Sequence, residues 1–323
     1  MSITRYLQKY YTISSSLCYT KITFHTFSGG SRISPYGGAR TGLHDRSEGI
    51  TLFINLFDSH THSENSFDAS HSVTFMCEKA IEAGVSGICV TDHCELKDYE
   101  KDRYEMRITQ SVFDVNKAKR IFNGRLAVMA GIELSDVLYD EQLTGRVISG
   151  FPFDMIMVSQ HNSAAGEDIY YSNFSEWTAG EIDEYLSWYF SYLLRVAEWG
   201  NFDTLGHLTY PLRYITGTHK IQVGLGRYED QIDQILRTVA QTGRAIEINT
   251  SGLSQPLGDT MPGIRYVKRY RELGGEYITL GSDAHSADAV GRGIDAAMQM
   301  LLDAGFSYFT FYKQRQPLQM KII

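Results

Sequence analysis

Leu52-Phe-Ile-Asn-Leu-Phe57-Asp58-Ser-His60-Thr-His62 is the stretch on which the fold turns: an apolar, strand-prone run breaks directly into an acid and two histidines. In extended backbone, residues two apart face the same side, so His60 and His62 can chelate one ion. Asp58 shares that parity, which suits an outer carboxylate that fixes a ring tautomer. The same break recurs downstream. Short apolar runs stop at Asp92-His93, Glu133, Gln160-His161, His207 and Asp283-Ala-His285. A single histidine is ordinarily a core or surface ring satisfied by a hydrogen bond. Metal-ligating residues at six of seven strand ends are not explained that way.

Working outward, β-branched and aromatic runs predict strands at 52–57, 87–91, 126–132, 153–159, 204–206, 245–249 and 277–281. Segments of helical period between them predict helices at 72–83, 113–122, 182–199, 229–242, 264–273 and 288–304. This α/β alternation points to a distorted TIM-like (β/α)7 barrel, with an open doubly wound sheet as the alternative. Either architecture puts chemistry beyond the carboxyl ends of the strands.

Composition bounds what the chain can do. Its 323 residues, 43% hydrophobic, suffice for one barrel, and no repeat of fixed period is visible. A net charge of −8 argues against a nucleic-acid partner, which basic clusters would hold. A small anionic substrate remains compatible, because metal ions outweigh bulk charge locally. No stretch is long and apolar enough to span a bilayer. Cys18, Cys77, Cys89 and Cys94 form no CxxC pair, which suits reduced thiols in a cytoplasmic enzyme. Oligomeric state is not legible.

A compositional seam lies near residue 50. Residues 1–49 carry Arg5, Lys9, Lys21, Arg32, Arg40 and Arg46 against Asp45 and Glu48, and are rich in Ser, Thr, Gly and Tyr. They are expected to be a loose, poorly structured N-terminal extension, with an organelle transit peptide also compatible with the composition. Residues 50–323 are expected to be the functional domain.

The donor set is imidazole and carboxylate with no obvious thiolate, which selects a divalent ion such as zinc, iron or manganese. Asp58-Ser-His-Thr-His62, Ser66-Phe-Asp68, Thr91-Asp-His93, Gly131-Ile-Glu133, Ser159-Gln-His161, Gly206-His-Leu-Thr-Tyr-Pro211, Glu247-Ile-Asn-Thr-Ser-Gly252 and Gly281-Ser-Asp-Ala-His285 together resemble the polymerase and histidinol phosphatase (PHP) superfamily. Within it, the resemblance is to the histidinol-phosphate phosphatases of histidine biosynthesis, and runs from about residue 50 to the C-terminus. It implies a trinuclear site. His60, His62, Glu133 and Asp283 would hold the first metal, Glu133 would bridge to a second on His161 and His207, and Asp68, His93 and His285 would hold a third. Glu133, Asp283 and His285 are the expected catalytic members.

That site would hydrolyse a small phosphate ester, L-histidinol phosphate, to L-histidinol and phosphate. Two close ions make hydroxide available from a bridging water near neutral pH, so no protein nucleophile is needed. Another PHP substrate is the alternative: a nucleotide, a sugar phosphate or phosphotyrosine in a protein. An accessory module of a polymerase, a third class, is disfavoured by the short chain without a basic groove. Arg213 is the expected phosphate clamp, because a guanidinium matches two oxygens at once. Arg103, Arg107 and Arg292 are weaker candidates. Tyr170, Tyr171, Phe174 and Trp177 could form an aromatic wall around the substrate or a local packing cluster.

Overall fold

A computed structural model describes residues 53–323. The extension of residues 1–49 and Cys18 lie outside these. Seven staves of parallel strand build the barrel: β1 (Phe57–Thr61), β2 (Gly87–Val90) continued by β3 (His93–Glu95), β4 (Ala127–Ser135), β5 (Met155–Val158), β6 (Thr204–Leu205), β7 (Ala245–Asn249) and β8 (Ile278–Gly281). Neighbours pair in the order β1-β2-β4-β5-β6-β7-β8, and β3 also pairs with β4. The seam between β8 and β1 is drawn together just past the strands, where Asp283 N–H donates to the His60 carbonyl at 2.9 Å and His62 N–H to that of Ala284 at 2.8 Å. The result is the expected distorted barrel.

Helices α1 (Val73–Glu82), α2 (Tyr104–Ile121), α3 (Glu141–Gly150), α4 (Ala179–Trp199), α5 (Glu229–Gln241), α6 (Ile264–Glu272) and α7 (Ile294–Asp303) cover the outside. Strands buried on both faces read as unbroken apolar runs, as in Met155-Ile-Met-Val158. Caps fix the helix starts: Thr178 and Glu181 form a reciprocal capping box at α4.

Three expectations are corrected. The first strand spans Phe57–Thr61, not 52–57, so Asp58 and His60 lie on the strand itself. Pairing of Phe57 with Gly87 sets that register, whereas Ile54, in the apolar run, is largely exposed. Hydrophobicity misplaced the strand because its interior face is made of ligands. Helix α3 was not expected; Gly145 and the β-branched Val147 and Ile148 weaken its propensity, and Asp140 caps it by accepting from Leu143 N–H at 2.9 Å. The hairpin of β9 (Tyr308–Lys313) and β10 (Gln316–Lys321) was also missed.

That hairpin serves the end of the barrel opposite the ligands. Gln314 and Arg315 both take left-handed backbone angles at its two-residue turn. Arg315 N–H donates to the Asp154 carbonyl at 2.8 Å, and its Nε to the buried Asp203 carboxylate at 3.0 Å. Asp154 and Asp203 directly precede β5 and β6, so the hairpin clasps the amino-terminal end. The carboxyl-terminal end is left for chemistry.

Candidate metal centre

Parallel strands carry their side chains to a common rim, and register aligns the donors. His93 on β3 is opposite Glu133 on β4, and β1 brings His60 beside Asp283 past β8. His60 Nε2 and His62 Nε2 are 2.9 Å apart. Glu133 Oε2 is 3.4 Å from His60 Nε2 and 3.5 Å from His62 Nε2. Asp283 Oδ1 is 3.6 Å and 3.4 Å from the same two nitrogens. A tetrahedron with metal–ligand bonds of about 2.1 Å has edges of about 3.4 Å. Four of these five separations lie close to that edge.

Two further groups adjoin it. Glu133 Oε1 is 3.3 Å from His161 Nε2 and 3.0 Å from His207 Nε2. His93 Nε2 and His285 Nε2 are 3.3 Å apart, with Asp68 oxygens at 3.6 Å from the former and 3.2 Å from the latter. The nine expected ligands thus gather in one cluster, in which the buried Glu133 touches His60, His62, His93, His161 and His207.

Electrostatics describe the same centre. Burial and the neighbouring His285 and His93 push the His62 pKa far down, which keeps its ring neutral, the ligating form. His60 is equally buried, which alone would lower its pKa, but Glu247, Glu133 and Asp283 push it well above the usual value. His93, likewise buried, is pushed up to about 10, chiefly by Glu133 and Asp68. For Glu133 and Asp283, burial works upward, yet surrounding charge, His60 first, holds both well below the carboxylate range. Carboxylates clustered out of water demand positive charge, which protons on imidazole or divalent cations supply. Glu133 Oε2, His93 Nδ1 and His207 Nδ1 are buried without a hydrogen-bond partner. Glu133 Oε2 and His93 Nδ1 are 2.9 Å apart without bonding each other. Among these, the orphaned lone pairs of Glu133 Oε2, set in an all-nitrogen and oxygen donor cluster, fit divalent metal.

The profile of the PHP domain matches residues 58–251. This chain belongs to the PHP domain family. Similar proteins include a probable histidinol-phosphatase of Thermotoga maritima, 29% identical over 257 residues that cover 78% of this chain and 94% of that one. The histidinol-phosphatase of Lactococcus lactis subsp. lactis is 26% identical over 257 residues, covering 78% and 93%. Among solved structures, histidinol phosphate phosphatase from Lactococcus lactis, complexed with zinc, L-histidinol and phosphate, shares the fold with a TM-score of 0.69 at 22% identity. The superposition covers 82% of this chain and 99% of that one.

Four carboxylates organise this PHP centre in ways the sequence reading did not assign. Glu247, central on β7, places Oε1 2.7 Å from His60 Nδ1 and accepts from His207 N–H through Oε2 at 2.8 Å. It does for His60 what was expected of Asp58. Asp58 touches no ring; it accepts from the backbone N–H groups of Ser282 at 2.9 Å and Gly291 at 2.8 Å, tying β1 to the loop after β8. Glu95 lies 2.9 Å from His161 Nδ1. Asp92 accepts from Ser63 N–H at 2.6 Å and Ser66 Oγ at 2.9 Å, pinning the loop that carries Asp68. Signals existed: a Glu inside Ala-Ile-Glu-Ile-Asn must be paired if buried, and Glu95 stands two residues beyond His93. Gly281 follows from Glu247, since a Cβ there would meet Glu247 Oε1 at 2.2 Å and His60 Cβ at 2.4 Å.

The donors open into a cavity of roughly 550 Å³. Arg213 lines it, with one guanidinium nitrogen 2.7 Å from Asp283 Oδ2 and the group 5.0 Å above the Tyr210 ring. Of the weaker candidates, Arg103 is exposed at the start of α2, Arg107 donates to the Asn65 carbonyl at 3.1 Å, and Arg292 donates to that of Asp288 at 3.1 Å. The aromatic segment divides. Tyr170 and Tyr171, 62% and 77% exposed, line the cavity. Phe174 and Trp177 instead pack together, their tilted rings 4.8 Å apart between centroids, and against Tyr185 of α4.

No helix among the described residues is long and apolar enough to cross a membrane. Cys77, Cys89 and Cys94 are buried free thiols, outside the donor set.

Proposed function

We propose that this chain is a histidinol-phosphatase, a metal-dependent phosphomonoesterase that hydrolyses L-histidinol phosphate to L-histidinol and phosphate in histidine biosynthesis. Relatives called histidinol-phosphatases align over nearly their whole length, 93–99%, across the barrel that carries the nine donors. That full-length match, centred on an enclosed nitrogen and oxygen donor cluster, carries the reading.

Three ions suit the three donor groups. His60, His62, Glu133 and Asp283 would hold one, Glu133, His161 and His207 a second, and Asp68, His93 and His285 a third, with zinc, iron or manganese as the candidates. Bound divalent ions acidify a coordinated water and neutralise phosphoryl oxygens. The chain's own residues supply the rest. Glu133 has both oxygens within 3.5 Å of ring nitrogens from different groups, so it joins them. Asp283 links that cluster to Arg213, and its contact with both His60 and His62 makes it, with Glu133 and His285, the centre of the reacting region. Arg213, already anchored on Asp283, presents a preorganised charge toward phosphate in the cavity. His60, His62, Glu133, His161 and His207 are buried at the barrel end, which limits competition from bulk water there, while Asp68 and His285 border the open side of the cavity.

A phosphatase panel on metal-analysed protein tests the proposal. Strong preference for L-histidinol phosphate over nucleotides, sugar phosphates and phosphotyrosine peptides is expected; flat or reversed preference rejects it.

A further inference from the structure

Three aspartates line the cavity: Asp68, Asp168 and Asp283. Asp68 faces His93 and His285, and Asp283 faces Arg213. Asp168 has no lysine, arginine or histidine nitrogen within ion-pair distance among the described residues, and it belongs to none of the donor groups that could hold a metal. One of its oxygens accepts from Tyr170 N–H at 2.8 Å. The other has no hydrogen-bond partner among the described residues. Burial raises its pKa above the usual carboxylate value, and the nearby His161 and the Tyr170 N–H offset this only in part.

Asp168 is also held firmly. Asn162 bridges to Asp168 in antiparallel fashion, and Ile169 N–H donates to the His161 carbonyl at 3.1 Å. The carboxylate is therefore tied to the segment that carries the donor His161. Beside it stand Tyr170 and Tyr214, their rings perpendicular with centroids 6.0 Å apart, and all of these line one cavity.

We propose that Asp168 is the counter-charge for a primary ammonium on the substrate, so that the cavity selects phosphate esters bearing a cationic amine close to the phosphate. This rests on the histidinol-phosphate reading, in which the amine is borne by the carbon next to the phosphorylated one. Asp168 binds and discriminates; it has no part in breaking the P–O bond. The tyrosine rings beside it suit a cation and a flat heterocycle equally.

The test crosses one variant with one analogue. Asp168→Asn removes the charge but keeps an oxygen to accept from Tyr170 N–H, so the local turn is preserved. L-Histidinol phosphate is compared with its deamino analogue, 3-(imidazol-4-yl)propyl phosphate, on the metal-loaded wild type and variant. Wild type should prefer the amine, and Asp168→Asn should lower the ratio of kcat/KM for the two esters by on the order of tenfold or more, mostly through KM, the scale of a lost charge-assisted hydrogen bond. An unchanged ratio overturns the inference, whether the variant keeps its activity or loses it on both esters alike. A wild type inactive on histidinol phosphate but active on another ester defeats the function itself, and this inference with it.

Discussion

Replacing Glu247 with Gln tests how the centre is held. Glu247 accepts on both sides: Oε1 faces His60 Nδ1 at 2.7 Å and Oε2 receives His207 N–H at 2.8 Å. With Nδ1–H donating, His60 Nε2 is left free toward the other donors, the arrangement a ligating histidine needs. Gln offers one oxygen and one NH2, so it can satisfy one of those donors and must oppose the other. An unsatisfied buried donor costs about 1–3 kcal/mol, and the surviving hydrogen bond, no longer to a charge, loses about 1 kcal/mol more. The low end, about 2 kcal/mol, is roughly thirtyfold in metal affinity, inside the range of roughly tenfold to a hundredfold seen when outer partners of ligating histidines are removed. Metal content should be measured by mass spectrometry across a chelator series, alongside kcat/KM with metal in excess. The variant should lose metal at markedly lower chelator concentration and recover part of its activity when metal is added back. Metal affinity within twofold of wild type, in a folded protein, would refute the assignment of Glu247 as the group that orients His60.

Replacing Glu133 with Ala removes the carboxylate that meets donors from every group, and should cut kcat/KM by at least about a hundredfold; near wild-type turnover in a folded, metal-analysed protein would contradict its bridging role. Arg213→Ala should weaken phosphate binding by about 1–3 kcal/mol, read as raised KM and weaker inhibition by inorganic phosphate. Unchanged kinetics would return Arg213 to a purely structural position over Tyr210. Deleting residues 1–49 should leave activity and thermal midpoint intact, and failure to fold would show that the functional domain begins earlier.

Much of the site was legible because its ligands repeat. A histidine or acid after six of the seven apolar runs betrays a barrel rim, and the i, i+2 pair at His60 and His62 fixes which side the rings take. Helices with long apolar periods, such as α4 and α5, were found within a few residues of their ends. The first strand was misplaced because Asp58 and His60 are polar yet lie in the sheet, so the apolar run before them mimicked it. The hairpin of β9 and β10 escaped because its second strand, Gln316–Lys321, is mostly exposed and carries Pro317.

Sequence by itself determined the fold class, the chemistry of the donors and their order along the chain, since these depend on residue type and on spacing within single segments. Only the tertiary structure decided which carboxylate serves which ring. Asp58 and Glu247 look alike as acids within apolar stretches, but the β8–β1 seam sends Asp58 to backbone amides, while the β7–β8 register brings Glu247 up to His60. Likewise, whether Asp168 or Asp283 meets a positive charge depends on where Arg213 falls after residues remote in the chain close around one end of the barrel. Hydrogen bonds and ion pairs act over about 3 Å, and folding sets such distances between segments that sequence spacing leaves free.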